Sequence, residues 1–123
     1  LRNSSDTKLT LAETRLIDFA TDTVAAEGVT LEKRSLARFS PVEFDTMIID
    51  MVEKAAAASD YTYCRLPSGA GHDAQMFAPN CPTGMIFIPS KHGISHNINE
   101  FSSEQDIAAG MDVLMKVLLE LSG

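Results

Sequence analysis

Residues 65–100 read RLPSGAGHDAQMFAPNCPTGMIFIPSKHGISHNINE, and this stretch decides the fold class. Tyr61 to Leu66, running into it, is β-leaning and reads as a strand. Pro67-Ser68-Gly69-Ala70-Gly71 is a tight turn, because two glycines let the backbone reverse at no steric cost. His72 to Ala78 reads as a short helix. Met85-Ile86-Phe87-Ile88 is a continuous apolar run closed by Pro89, the pattern of a strand buried on both faces. Ser90 to Phe101 is a polar loop. Strand, turn, helix and strand in such quick succession predict an α/β architecture.

The pattern extends in both directions. Downstream, Ser102 with Gln105, or Ser103 with Asp106, can open a last helix through a capping box. Ile107, Met111, Leu114, Leu118 and Leu121 recur at helical spacing and are expected to face inward. Upstream, residues 43–58 carry Phe44, Met47, Ile48, Met51, Val52 and Ala55 on one helical face. Ser40-Pro41 breaks the pattern before that helix and is the best boundary candidate. Val29 to Phe39 reads as a strand with one wet face. Residues 6–27 read as an amphipathic helix, with Leu9, Ala12, Leu16, Phe19, Ala20 and Val24 on its apolar side. Ser5 or Asp6 can cap its start, and Gly28 suits the left-handed position at its end.

Composition narrows the function. The chain has 123 residues, 45% hydrophobic and 22% charged, too apolar for a disordered segment. Lys and Arg total 10 against 17 Asp and Glu, a formal net charge of −7, which repels a phosphate backbone and argues against a nucleic-acid partner. No apolar run reaches the roughly 18 residues of a membrane span, so no membrane partner is expected. Two cysteines, Cys64 and Cys81, are too few for a disulfide framework and fit a reducing, cytoplasmic setting; both are expected to be core or near-core thiols. Met47, Met51, Met111 and Met115 read as core filler, and Tyr61 and Tyr63 as neighbours on one strand face. The first residues are polar and lack the apolar centre of a signal peptide. The chain starts at Leu1 rather than Met, which fits either a processed start or the C-terminal piece of a longer protein.

Two places offer chemistry. At Ser68-Gly69-Ala70-Gly71-His72-Asp73 the glycines admit a ligand close to the backbone, and outward N–H groups at a helix start attract carboxylate or phosphate. The plain alternative is a strand-to-helix turn with Asp73 favouring the positive helix end. At Gly93-Ile94-Ser95-His96-Asn97-Ile98-Asn99-Glu100, just past a predicted strand end, a neutral imidazole can serve as a metal ligand or base. The plain alternative there is an exposed loop histidine. His72, Asp73, His92, His96 and Glu100 include no H-E-x-x-H or C-x-x-C spacing, so the residues alone do not spell a self-contained metal site.

Taken together, S-G-A-G-H-D-A, M-I-F-I-P-S and G-I-S-H with a Glu four residues on resemble the C-terminal signature of the allantoate amidohydrolases, N-carbamoyl-L-amino-acid amidohydrolases and β-ureidopropionases. These belong to the di-metal hydrolases similar to aminoacylases and carboxypeptidases. The similarity is weaker upstream, but LRNSSDTKL resembles the family's arginine-bearing segment in its lid domain. The resemblance implies that residues 1–40 end an α+β lid and dimerisation domain, and that residues 41–123 end a metallo-amidohydrolase catalytic domain, a mixed sheet flanked by helices. It implies that His96 is a metal ligand, that Gly71 and His72 line the substrate site, and that Arg2 pairs with the substrate carboxylate. It further implies two divalent metals, zinc or manganese, a small ureido-acid substrate, and a homodimer formed through the lid. The chain covers about the last third of such an enzyme, so the general base and the other ligands are expected outside it. The isolated chain is therefore expected to be inactive and to hold no metal tightly. Two rival readings are a small anion-binding module at the Gly69–Gly71 turn and a folded piece with a purely structural role.

Overall fold

A computed structural model describes all 123 residues. Four α-helices follow one another: α1 (Asp6–Glu27), α2 (Thr46–Ala57), α3 (Ala74–Phe77) and α4 (Glu104–Leu121), with a 3-10 turn at Lys91–Gly93. The chain divides into two compact units, one of residues 1–43 with 67–71, the other of residues 44–66 with 72–123.

The first unit is built on α1. Ser5 caps it by accepting the Lys8 N–H. Gly28 ends it at φ 68°, with the Val29 N–H returning to the Val24 carbonyl at 3.0 Å. Arg38 clasps the segment after α1 to the helix. Its guanidinium donates to Glu13 at 3.1 Å, to Asp6 at 3.0 Å and to the Thr10 hydroxyl at 2.9 Å. The apolar stripe read from the sequence is only partly covered: Leu9 is buried, Ala12, Ala20 and Val24 are half-buried, and Leu16 and Phe19 are exposed.

The second unit is a pair of helices, α2 against α4. Its core is Met51, Ala55 and Ala56 of α2 against Val113 and Val117 of α4, with Ile48, Val52 and Ile86 packed alongside. Asp45 caps α2 by accepting the Ile48 N–H at 3.1 Å, and its own N–H donates to the Thr83 carbonyl at 2.9 Å. Close approach at Gly84 brings Ile48 against the backbone: a Cβ there would lie 2.5 Å from the Ile48 Cγ2 methyl. Ser103 caps α4 through the Asp106 N–H at 3.1 Å, and its hydroxyl donates to the Asp106 carboxylate at 2.5 Å, the second of the two arrangements the sequence allows. Arg65 fastens segment 61–66 to α2 through Asp50, at 2.7 Å, and Glu53. Lys116 joins the helices, donating to Asp112 at 2.9 Å and to the Ser59 hydroxyl at 2.5 Å.

Several expectations are corrected. Segments 29–39, 61–66 and 85–88 form no strands and no mixed sheet. A strand exists only as a partner in a ladder, and these segments exchange no backbone hydrogen bonds with one another. Segment 85–88 is not buried on both faces: Met85 and Ile86 are half-buried, Phe87 and Ile88 exposed. Tyr61 and Tyr63 are exposed and share no strand face. On α4 the packed residues are Val113 and Val117, while Ile107, Met111, Leu114, Leu118 and Leu121 are exposed. Helical periodicity identifies an apolar sector, but which edge of it meets α2 is set by the crossing of the two helices. Met51 alone of the four methionines is core, and Met47, Met111 and Met115 are exposed. Cys64 and Cys81 are free and exposed, because segment 61–66 and the turn after α3 lie on the surface.

Candidate functional site

In the first unit, Arg2 lies beside the glycine turn. A Cβ on Gly69 would sit 3.9 Å from the Arg2 Cδ, so the Arg2 side chain lies near Gly69. The turn is held from within: the Ala70 N–H donates to the Ser68 hydroxyl at 3.2 Å. Gly71 follows, exposed. Arg38 and Arg65 are each committed to two carboxylates, which raise their already high pKa values. Arg2 makes no ion pair within the chain. An exposed guanidinium with its planar fork unspent is suited to a carboxylate or phosphate.

In the second unit, His72 is half-buried, with its ring edge-on to Phe87 at a centroid distance of 5.5 Å. The His72 backbone N–H donates to the Gln75 side-chain oxygen at 3.3 Å. Asp73 precedes α3 but its side chain does not cap it. The Phe87 contact is absent from any local reading, because fifteen positions separate the two rings in sequence and the run 85–88 signals only an apolar strand.

The loop after Pro89 is closed at its base. The Lys91 N–H donates to the Phe101 carbonyl at 2.7 Å, and the Ser102 hydroxyl donates to the Pro89 carbonyl at 2.8 Å. His92 and His96 both adopt left-handed backbone, at φ 59° and 55°. Such conformations are uncommon outside glycine and collect at functional positions. The His96 N–H donates to the Glu100 carboxylate at 2.9 Å, while the exposed imidazole makes no hydrogen bond within the chain. Asn97 and Asn99, turn formers between His96 and Glu100, are the sequence signal that the loop doubles back there.

Among the sequence candidates, the structure brings Arg2 to the glycine turn, and Glu100 to the backbone of His96. It does not gather a metal-binding set: no three His, Cys, Asp or Glu side chains converge, so His72, Asp73, His92, His96 and Glu100 are not a self-contained centre. His96 fits the part of a single donor, open and unpartnered. No helix is long and apolar enough to cross a membrane.

Residues 7–120 match Peptidase family M20/M25/M40, and the chain belongs to that family. An N-carbamoyl-L-amino acid amidohydrolase of Geobacillus stearothermophilus is 37% identical over 102 residues, 82% of this chain and 25% of that protein. An allantoate amidohydrolase of Escherichia coli (strain K12) is 42% identical over 82 residues, 67% of this chain and 20% of that protein. The crystal structure of an amidase of the hydantoinase/carbamoylase family from Burkholderia multivorans superposes with a TM-score of 0.91 at 33% identity, covering 96% of this chain and 29% of that one. The resemblance read from residues 65–100 is thus that of the family. The chain spans between a fifth and three-tenths of the length of these relatives.

Proposed function

We propose that these residues form the C-terminal portion of a metal-dependent amidohydrolase that cleaves ureido or carbamoyl C–N bonds, with allantoate or an N-carbamoyl amino acid as substrate. The observation that carries the reading is Arg2, without an ion pair in the chain and near Gly69, in a chain that matches the family over 7–120. Each of this chain's residues has a defined task. Arg2 forks onto the substrate carboxylate and sets its orientation. Gly71 lets substrate approach the backbone, and His72, braced by Phe87, lines the pocket. His96 offers its imidazole as one metal donor, and the other donors and the general base belong to the rest of the polypeptide. The divalent metals, zinc or manganese, supply an activated water when bound. Residues 1–40 belong to a lid domain that forms a cytoplasmic homodimer.

The test uses the natural polypeptide that carries residues 1–123. R2Q is expected to lower kcat/KM for a carboxylate-bearing ureido substrate by about a hundredfold, with a much smaller loss on the corresponding neutral amide, because a paired charge contributes about 1.5–3 kcal/mol. Equal losses on both substrates would remove Arg2 from carboxylate recognition. H96N is expected to release one metal equivalent, read by elemental analysis of the dialysed protein; full retention would refute the ligand assignment.

A second reading, favoured by the same unpaired guanidinium, is a free-standing anion-binding module. It requires the 123-residue chain to bind a substrate analogue without metal. Calorimetry showing no such binding excludes it.

A further inference from the structure

Loop 90–101 contains an arrangement that the ligand assignment does not explain. His96 is held at φ 55°, a conformation that a side chain bearing a Cβ leaves unless its surroundings over-determine it. Two hydrogen bonds close the turn around it. The Glu100 N–H donates to the Asn97 carbonyl at 3.0 Å, and the Glu100 carboxylate reaches back to accept the His96 N–H at 2.9 Å. The Asn99 N–H, between them, donates to the Asn97 side chain at 3.0 Å. Glu100 thus grips the turn at both ends, through its own N–H and through a side-chain oxygen that accepts from His96. The Ser90 hydroxyl donates to the Ile94 carbonyl, so the strand of chain leading into His96 is anchored as well.

We propose that Glu100 is a positioning residue for His96: its carboxylate holds the His96 backbone in the left-handed conformation and thereby fixes the direction in which the imidazole leaves the loop. The direction of a Cβ follows from φ and ψ at its own residue. Release of His96 to an ordinary negative φ swings the Cα–Cβ bond and carries the ring away from the point it otherwise faces. Glu100 acts through the main chain, so the His96 ring nitrogens stay open. The consequence for metal binding rests on the reading of His96 as a ligand; the grip on the turn does not.

The experiment compares E100Q, E100A, E100D and H96N in the natural polypeptide, with two readouts. One is the exchange rate of the His96 amide proton in metal-free protein, followed by NMR. The other is zinc affinity, measured by competition with a chelator. E100A is expected to speed the amide exchange about tenfold and to weaken zinc about tenfold, the lower end of what loss of a supporting hydrogen bond costs a metal site. E100D, too short to reach, should behave as E100A does. E100Q keeps an acceptor oxygen at the same reach and should stay within about threefold on both readouts. Unchanged exchange in E100A and E100D overturns the proposal whatever zinc does. Faster exchange with unchanged zinc affinity, while H96N abolishes tight zinc binding, also overturns it. A loss in E100Q as large as in E100A assigns the effect to charge and overturns the positioning role. If H96N leaves zinc affinity intact, the ligand reading of His96 fails, and the exchange rates still decide whether Glu100 holds the turn.

Discussion

Asp112 shows what a single charged residue does here. Its carboxylate accepts hydrogen bonds from Lys116 at 2.9 Å and from the Ser59 hydroxyl at 3.3 Å. The Lys116 contact is the chief cause that holds its pKa below the usual carboxylate value, with Ser59 and Tyr61 adding to it. A carboxyl group depressed in the folded state stabilises the fold at full strength above its unfolded pKa of about 3.9, and the contribution disappears as pH falls through the folded value. D112N is therefore expected to be less stable than the parent near neutrality and to converge with it in acid. Urea unfolding at pH 7 and pH 3 checks this, and a constant gap would contradict it. The group is solvent-exposed, so the difference is small. The candidate site divides at this scale. Gly71, His72 and His96 stand out in the sequence as residue types beside turn formers, and Arg2 only through the family resemblance. The role of Glu100 is not visible, since it depends on an acceptor folding back onto a backbone amide four residues earlier.

At the scale of elements, helix ends follow local chemistry closely. The reading of 6–27 as a helix coincides with α1, because Ser5 and Gly28 act within one turn of the positions they terminate. The end of α2 uses the same hydrogen-bond pattern as the end of α1. The Tyr61 N–H donates to Ala56 at 3.2 Å, and the Asp60 N–H donates to Ala57 at 3.1 Å. There Asp60, not glycine, occupies the left-handed position, at φ 55°. D60G is expected to stabilise the protein by about 0.5–1 kcal/mol through relief of that strain, and G28A to destabilise it by about 1 kcal/mol. Thermal unfolding of the two variants, which should shift in opposite directions, is the check. The expected strands fare differently. Segments 29–39, 61–66 and 85–88 have β-leaning composition, but a ladder needs a second chain segment in register, and none of the three supplies it to another.

At the scale of the whole molecule, the exposed surface is the informative quantity. The chain exposes 9903 Å². A folded monomer of its 13.3 kDa exposes about 6,500 Å². Only Leu9, Met51, Ala55, Ala56, Val113 and Val117 are buried apolar residues, while Phe19, Leu36, Phe39 and Leu119 stand among large side chains open to solvent. So small a core cannot offset much conformational entropy. The 123-residue chain alone is expected to unfold with less than about 5 kcal/mol of stability and to bind a hydrophobic dye in buffer. Cooperative unfolding above that figure, without dye binding, would show that the exposed apolar surface needs no cover.

By itself the sequence determined the four helices, the caps of α1 and α4, the glycine turn and the family, because each depends on residues a few positions apart or on a run of residue types. Tertiary structure alone decided which face of α4 is packed, that the β-leaning segments remain unpaired, that Arg2 comes near Gly69, and that the Glu100 carboxylate accepts the His96 N–H. Those outcomes depend on distances between parts of the chain remote in sequence, and periodicity carries no information about what will be opposite.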